Sequence, residues 1–153
     1  MTRRLRSGFL LVFLLFVVPM LFAQSNDMID RILAEDVASI GSVAYVALSA
    51  AELINDDTTP ARAVRVASEA GWLPEQADAS APASFGQMAF LMMQALEVNG
   101  GLMYRLFPGP RYAAREFVYR KWSPERKAPG DRISGQFLLR VAGNFLESTG
   151  VAP

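Results

Sequence analysis

Cysteine and histidine are both absent from the 153 residues, and each absence removes chemistry. Without cysteine there is no disulfide to staple the fold, no thiol nucleophile and no attachment point for a cysteine-borne lipid. Without histidine there is no Ser-His-Asp triad, no imidazole general base and no zinc site of the Cys/His kind. No run of alternating polar and apolar residues reads as a half-buried strand. Basic residues are scarce early in the chain: residues 24–100 hold 3 against 11 acidic ones, whereas residues 101–153 hold 9 against 4. Such asymmetry pairs the two halves or orients a partner.

The acidic pairs Glu35-Asp36 and Asp56-Asp57 lack calcium-loop spacing, and neighbours in sequence seldom converge on one substrate atom. Their expected places are helix caps and solvated loops. The serines have no partner base, and "NGGLMYRLFPGP" (residues 99–110) lacks the Lys-Ser/Thr pair of a phosphate loop. No catalytic residue, metal ligand or cofactor site is expected, so the chain reads as non-enzymatic. An enzyme working through two converging carboxylates is the weaker alternative.

What is present begins with "MTRRLRSGFLLVFLLFVVPMLFAQS". Arginines, then an apolar run, then the small residue Ala23 have the order of a secretory signal peptide over residues 1–23. The alternative is an uncleaved membrane anchor, through which the leader would hold the chain at a membrane. The address that follows is export by general secretion to the periplasm or cell envelope. Residues 24–35 are a lead-in segment, and residues 36–153 are long enough for one domain. Nucleic acid is not an expected partner for an exported, mildly acidic chain.

The domain repeats itself. Placing Pro60 over Pro110 aligns Ala63 with Ala113, Arg65 with Arg115, Trp72 with Trp122, Pro74 with Pro124 and Glu75 with Glu125. Gly86-Gln87 answers Gly135-Gln136 one residue out of step, and "ASIGSVAYVAL" from Ala38 matches "ASFGQMAFLMM" from Ala83. The pattern is a half repeat over 36–58 followed by repeats over 59–109 and 110–148. Repeats of this length are stacked supersecondary units, each unable to bury its apolar face alone.

Thr59-Pro60 and Gly71 predict a helix from about Pro60 to Ala70, with a counterpart from about Pro110 to Lys121. Ser84 caps a helix that is apolar almost all round and therefore central. Phe137, Leu138, Val141, Phe145 and Leu146 share the inner face of a last helix. Ile40, Val43, Ala44, Ala47, Ala51 and Ile54 form the inner face of the first main one, with Ser42, Ser49 and Glu52 toward water. Five main helices and a short one at Met28–Ala34 make an all-α fold, in which both indoles end a helix and plug the space beneath the next.

The stretches "ARAVRVASEAGWLPEQADASAPASFGQMAFLMMQAL" and "AAREFVYRKWSPERKAPGDRISGQFLLRVAGNFL" resemble the S-layer homology domain across Asp36–Glu147. The resemblance implies a pseudo-threefold helical bundle, with Trp72, Pro74, Gly86, Trp122, Pro124 and Gly135 as structural positions of the repeat. In that family a Thr-Arg-Ala-Glu motif opening the second helix helps hold anionic cell-wall polysaccharide. The corresponding tetrads here are Ser39–Ser42, Ser84–Gln87 and Ile133–Gln136, and none carries the arginine or glutamate. The resemblance therefore implies the scaffold without that mode of binding.

A basic aromatic stretch from Tyr104 to Lys127 remains, with Arg105, Arg111, Tyr112, Arg115, Tyr119 and Arg120 at its centre. Helical spacing puts Arg111 with Arg115, and Tyr112 with Arg115 and Tyr119, on shared faces. These six are the candidate binding residues, for an acidic envelope protein, anionic cell-wall glycan or phospholipid headgroups; the alternative is a solvated face paired with the acidic first half. Leu102, Met103, Leu106 and Phe107 either lid the bundle or project as an apolar patch.

Overall fold

The computed structural model describes residues 27–150; the expected signal peptide and residues 24–26 of the lead-in lie outside the described residues. The fold is all-α. A first helix, α1, covers 27–33. It is followed by α2 (Ile40–Ala50), α3 (Pro60–Glu69), α4 (Phe85–Ala95), α5 (Leu102–Leu106), α6 (Pro110–Tyr119) and α7 (Gly135–Thr149). Among the described residues no helix is long and apolar enough to cross a membrane.

The helix starts follow side-chain chemistry. Ser39, Thr59, Ser84 and Ser134 each accept a hydrogen bond from a backbone N–H of the first turn, and Ser84 with Gln87 forms a reciprocal capping box. Pro60 and Pro110 open α3 and α6, where a missing N–H is harmless. Ser134, not Ile133, caps α7, because a cap needs a side-chain acceptor. The last tetrad is therefore Ser134–Phe137. Gly135 stands first in its helix while Gly86 stands second, so these two glycines are not equivalent and no residue is lost between the repeats.

Three backbone bonds tie the buried helices together. The first N–H of α2, at Ile40, donates to Ala81 O (2.9 Å); that of α4, at Phe85, donates to Asp131 O (2.8 Å); that of α7, at Gly135, donates to Glu35 O (2.9 Å). Each bond runs from one helix start to the loop before another, and the third returns to the first. The ring satisfies N–H groups that a helix leaves unpaired. Close approach is the condition for it. A Cβ on Gly135 would overlap the carbonyl oxygen of Ile32, and one on Gly86 would lie 2.9 Å from the carbonyl oxygens of Pro110 and Pro129.

The core gathers around α4, which packs on α2 and α6, while α2 also meets α3 and α7. Burial of α4 nearly all round agrees with its composition. Burial of α2 goes further than its pattern suggests: Ser42, expected toward water, is 2% exposed. Its hydroxyl donates to the Glu35 carboxylate at 2.6 Å, and the other carboxylate oxygen takes the N–H of Ser39 at 3.0 Å. Glu35 thus caps α2 from outside the helix, the role expected for that acidic pair.

The two tryptophans share a backbone position but not an environment. Trp72 N–H donates to Ala67 O and Trp122 N–H to Phe117 O, each five residues back. Trp122 is buried between Phe117 and Phe145, at centroid distances of 5.2 and 4.7 Å. Trp72 is half-buried at the edge of the core. The expectation that both indoles plug the interior is corrected for Trp72: Ala67 stands where Phe117 would offer a ring. Pro74 and Pro124, which follow the indoles, are exposed. They stop the preceding helix from continuing.

Residues with left-handed backbone follow the helices, but only Gly71 (φ 77°) and Gly150 (φ 70°) are glycines; Glu52, Glu97 and Lys121 hold φ of 55°, 52° and 59°. Left-handed backbone costs an L residue about 1–2 kcal/mol. Lys121 follows α6 as Gly71 follows α3. Lys121→Gly is expected to stabilise the protein by about 1 kcal/mol, net of glycine's greater chain entropy. A thermal melt should move up by about 3 °C; an unchanged or lower midpoint would contradict the account.

Candidate functional site

The second repeat carries an open groove of about 600 Å³ between α6, the adjoining turn of α5 and the loop before α7. Its wall on α6 is Tyr112, Arg115, Glu116 and Tyr119, three- and four-residue steps that a helix places on one side. Ala114 and Val118 of α6, Arg126, Lys127 and Pro129 of the loop before α7, and Met103 of α5 complete the lining. Pro110 at the start of α6, and Ala113, Ala114 and Phe117 buried on its inner side, fix which face the helix turns outward.

The cations differ in how far they are committed. Arg120 is spoken for: its guanidinium meets Glu116 at 3.0 Å, donates to Asn99 O at 3.1 Å and lies 4.9 Å over the Trp122 ring. Lys127 stands 3.7 Å from Glu125 and 4.9 Å over Phe137, and Glu125 also takes Arg140 at 3.2 Å. Arg105, Arg111, Arg115 and Arg126 are exposed and make no salt bridge among the described residues. The ion pairs that do form are all local to residues 116–140. Pairing of the basic stretch with the acidic first half is therefore absent among the described residues.

Of the six candidate residues, Tyr112, Arg115 and Tyr119 line the groove; Tyr119 is 84% exposed. Arg111 stands outside it on the first turn of α6, Arg105 sits on α5, and Arg120 is a packing residue. Glu116 is a lining residue that the sequence reading did not single out, and Met103, expected in a lid or an apolar patch, also lines the groove. The i,i+4 step from Glu116 to Arg120 was a visible signal for their pairing. Met103 is brought in by α5, which the sequence left as an irregular interruption between Gly100-Gly101 and Pro108-Gly109-Pro110.

A groove of this kind can hold an anion against mobile guanidinium groups and stack a flat or ring-shaped group on exposed phenols. It has no nucleophile-base pair, and no cluster of three or more Asp or Glu that could hold a metal occurs among the described residues. The chain matches no protein-family model, no curated protein and no solved structure.

Proposed function

We propose that the chain is a non-enzymatic, exported protein of the cell envelope, a helical module that binds or scaffolds another envelope component through the groove on α6. The observation that carries this is the pair Arg115 and Arg126, exposed in the same groove as Tyr112 and Tyr119 and without carboxylate partners among the described residues. Unpaired arginines flanking aromatic rings present donors and stacking surface to an anionic partner. The closed ring of bonds among α2, α4 and α7 supports an S-layer-homology-like scaffold with pseudo-threefold arrangement, in which the groove belongs to one repeat.

The second reading is recognition of anionic cell-wall polysaccharide by the same wall, which the 84% exposure of Tyr119 favours, since sugar rings stack on accessible phenols. Co-sedimentation with purified sacculi across a salt series, using Arg115→Glu with Arg126→Glu as the comparison, tests both readings. Polysaccharide binding is expected to weaken with salt and to fall about tenfold or more in the double variant. Salt-independent binding, or binding equal in the variant, rules out the groove as the polysaccharide site. Pull-down from envelope extract with the same variant tests the protein-partner reading; an unchanged set of captured proteins removes the groove from it.

A further inference from the structure

The short helix α5 and its C-cap residue Phe107 leave large apolar side chains more than half in solvent. Leu102, Met103, Leu106 and Phe107 are 66, 52, 58 and 61% exposed, four large apolar side chains within six residues. The segment is nevertheless anchored. Tyr104 is buried, its hydroxyl accepts a hydrogen bond from Gln94 Nε2 at 2.8 Å, and its ring packs edge-on to Phe90. Burial raises the phenol above its ordinary 10.0, with the Gln94 bond working against the shift, so Tyr104 is neutral at physiological pH. Phe107 stacks on Tyr112 with centroids 6.3 Å apart, and Pro108 and Pro110 stiffen the exit. The projection is a held conformation.

The charged residues of the tip and of the adjoining first turn of α6 are both basic. Arg105 on α5 and Arg111 on the first turn of α6 are exposed and make no salt bridge among the described residues, and residues 1–26 and 151–153 contain no Asp or Glu that could pair with them. The one carboxylate nearby on α6, Glu116, is taken by Arg120. From these observations we infer that α5 is a membrane-docking tip that inserts Leu102, Leu106 and Phe107 into the interface of an anionic lipid bilayer, with Arg105 and Arg111 at the headgroups. Apolar chains at the acyl boundary with arginines extended to the phosphates are the arrangement that interfacial helices adopt. A protein partner fits less well. Four side chains fall well short of the roughly 800 Å² per partner of a stable protein interface, whereas a bilayer needs no shape complement. The contact is separate from any leader and uses neither Arg115 nor Arg126, so it stands or falls apart from the groove.

The test puts a reporter at the tip of the full chain, because an apolar leader could bring any variant onto vesicles. Leu106→Trp is mixed with phosphatidylglycerol vesicles carrying brominated acyl chains and compared with the parent, whose own indoles are the buried Trp122 and half-buried Trp72. The expected result is a blue-shifted emission at the Leu106→Trp indole and its quenching by the brominated lipid, with little change in the parent. Adding Arg105→Glu and Arg111→Glu should weaken the quenching-derived partition by at least about twenty-fivefold, at about fivefold for each positive charge removed and more for its reversal. Phosphatidylcholine vesicles should quench far less. Absence of quenching, equal quenching by neutral vesicles, or a blue shift that grows with protein concentration without lipid would each overturn the proposal. The last outcome would identify a second copy of the chain as the occupant.

Discussion

Gly135→Ala is expected to cost about 3 kcal/mol or more, a large fraction of the roughly 5–15 kcal/mol that holds a domain folded. The new methyl carbon would overlap the Ile32 carbonyl oxygen, far inside van der Waals contact. That oxygen belongs to the backbone at the end of α1, so no rotamer change relieves the clash; α7 must move away from the segment 32–35. Doing so breaks the bond from Gly135 N–H to Glu35 O, which closes the ring among α2, α4 and α7. Glu35 is also the residue whose carboxylate caps α2 through Ser39 and Ser42. The loss therefore spreads from α7 into the most buried part of the core. Gly143, in the same helix and with nothing within 4 Å of a built Cβ, is the internal control. Gly143→Ala should stabilise by about 0.5–1 kcal/mol, because only helix propensity changes. Urea unfolding of both variants decides the matter: equal midpoints for the two would show that the close approach at Gly135 is not what holds α7 in place.

Trp122→Ala is expected to destabilise by about 4 kcal/mol, and Trp72→Ala by no more than about 2 kcal/mol. The indole of Trp122 fills a closed space: Phe117 and Phe145 stack on each other at 4.8 Å and both meet the indole edge-on. Removing it leaves a cavity bounded by rings on α6 and α7 that cannot collapse without moving both helices. Arg120 would also lose the ring it lies over. Trp72 keeps part of its surface in water, so truncation there loses less apolar burial and opens no enclosed void. A shared phrase of sequence thus carries unequal energy. Urea midpoints that agree within error for the two variants would contradict this assignment.

Much of the fold was legible because its local signals agree with one another. Thr59-Pro60 before an amphipathic stretch, Gly71 after it, and Ser84 before an apolar one are short-range chemistry, and α3 and α4 begin and end within a residue or two of the expected place. The first main helix is shorter than its apolar pattern suggests: α2 ends at Ala50, and Glu52 turns into left-handed backbone, so Ile54 is not on its inner face. The groove was half legible. Tyr112, Arg115 and Tyr119 share a helix face by spacing alone, but whether a given arginine is free depends on what lies near it in space. Arg120 reaches Asn99 O, 21 residues away in the chain, and no periodicity within α6 could reveal that. Ser42 was misplaced for the same reason: its partner Glu35 lies outside α2, and a polar residue is buried once its hydrogen bonds are met.

The one-residue step between Gly86 and Gly135 shows how the two kinds of information differ. In sequence the matching Gly-Gln pairs suggested a lost residue, since identical letters are aligned at no cost. In three dimensions the cap must present an oxygen to the first-turn N–H groups, and Ser134 does so where Ile133 cannot.

By itself the chain determined that the fold is helical, where five main helices and the short first one lie, the caps Thr59 and Ser84 and most of the apolar faces they bury, because these rest on backbone preference and on side chains a few residues apart; α5 and the cap of α7 were not among them. The tertiary structure alone decided which tryptophan is core, which arginines are left without partners, that Gly135 must lack a side chain and that α5 points its leucines outward. Each of those depends on atoms distant in sequence arriving within a few ångströms of one another.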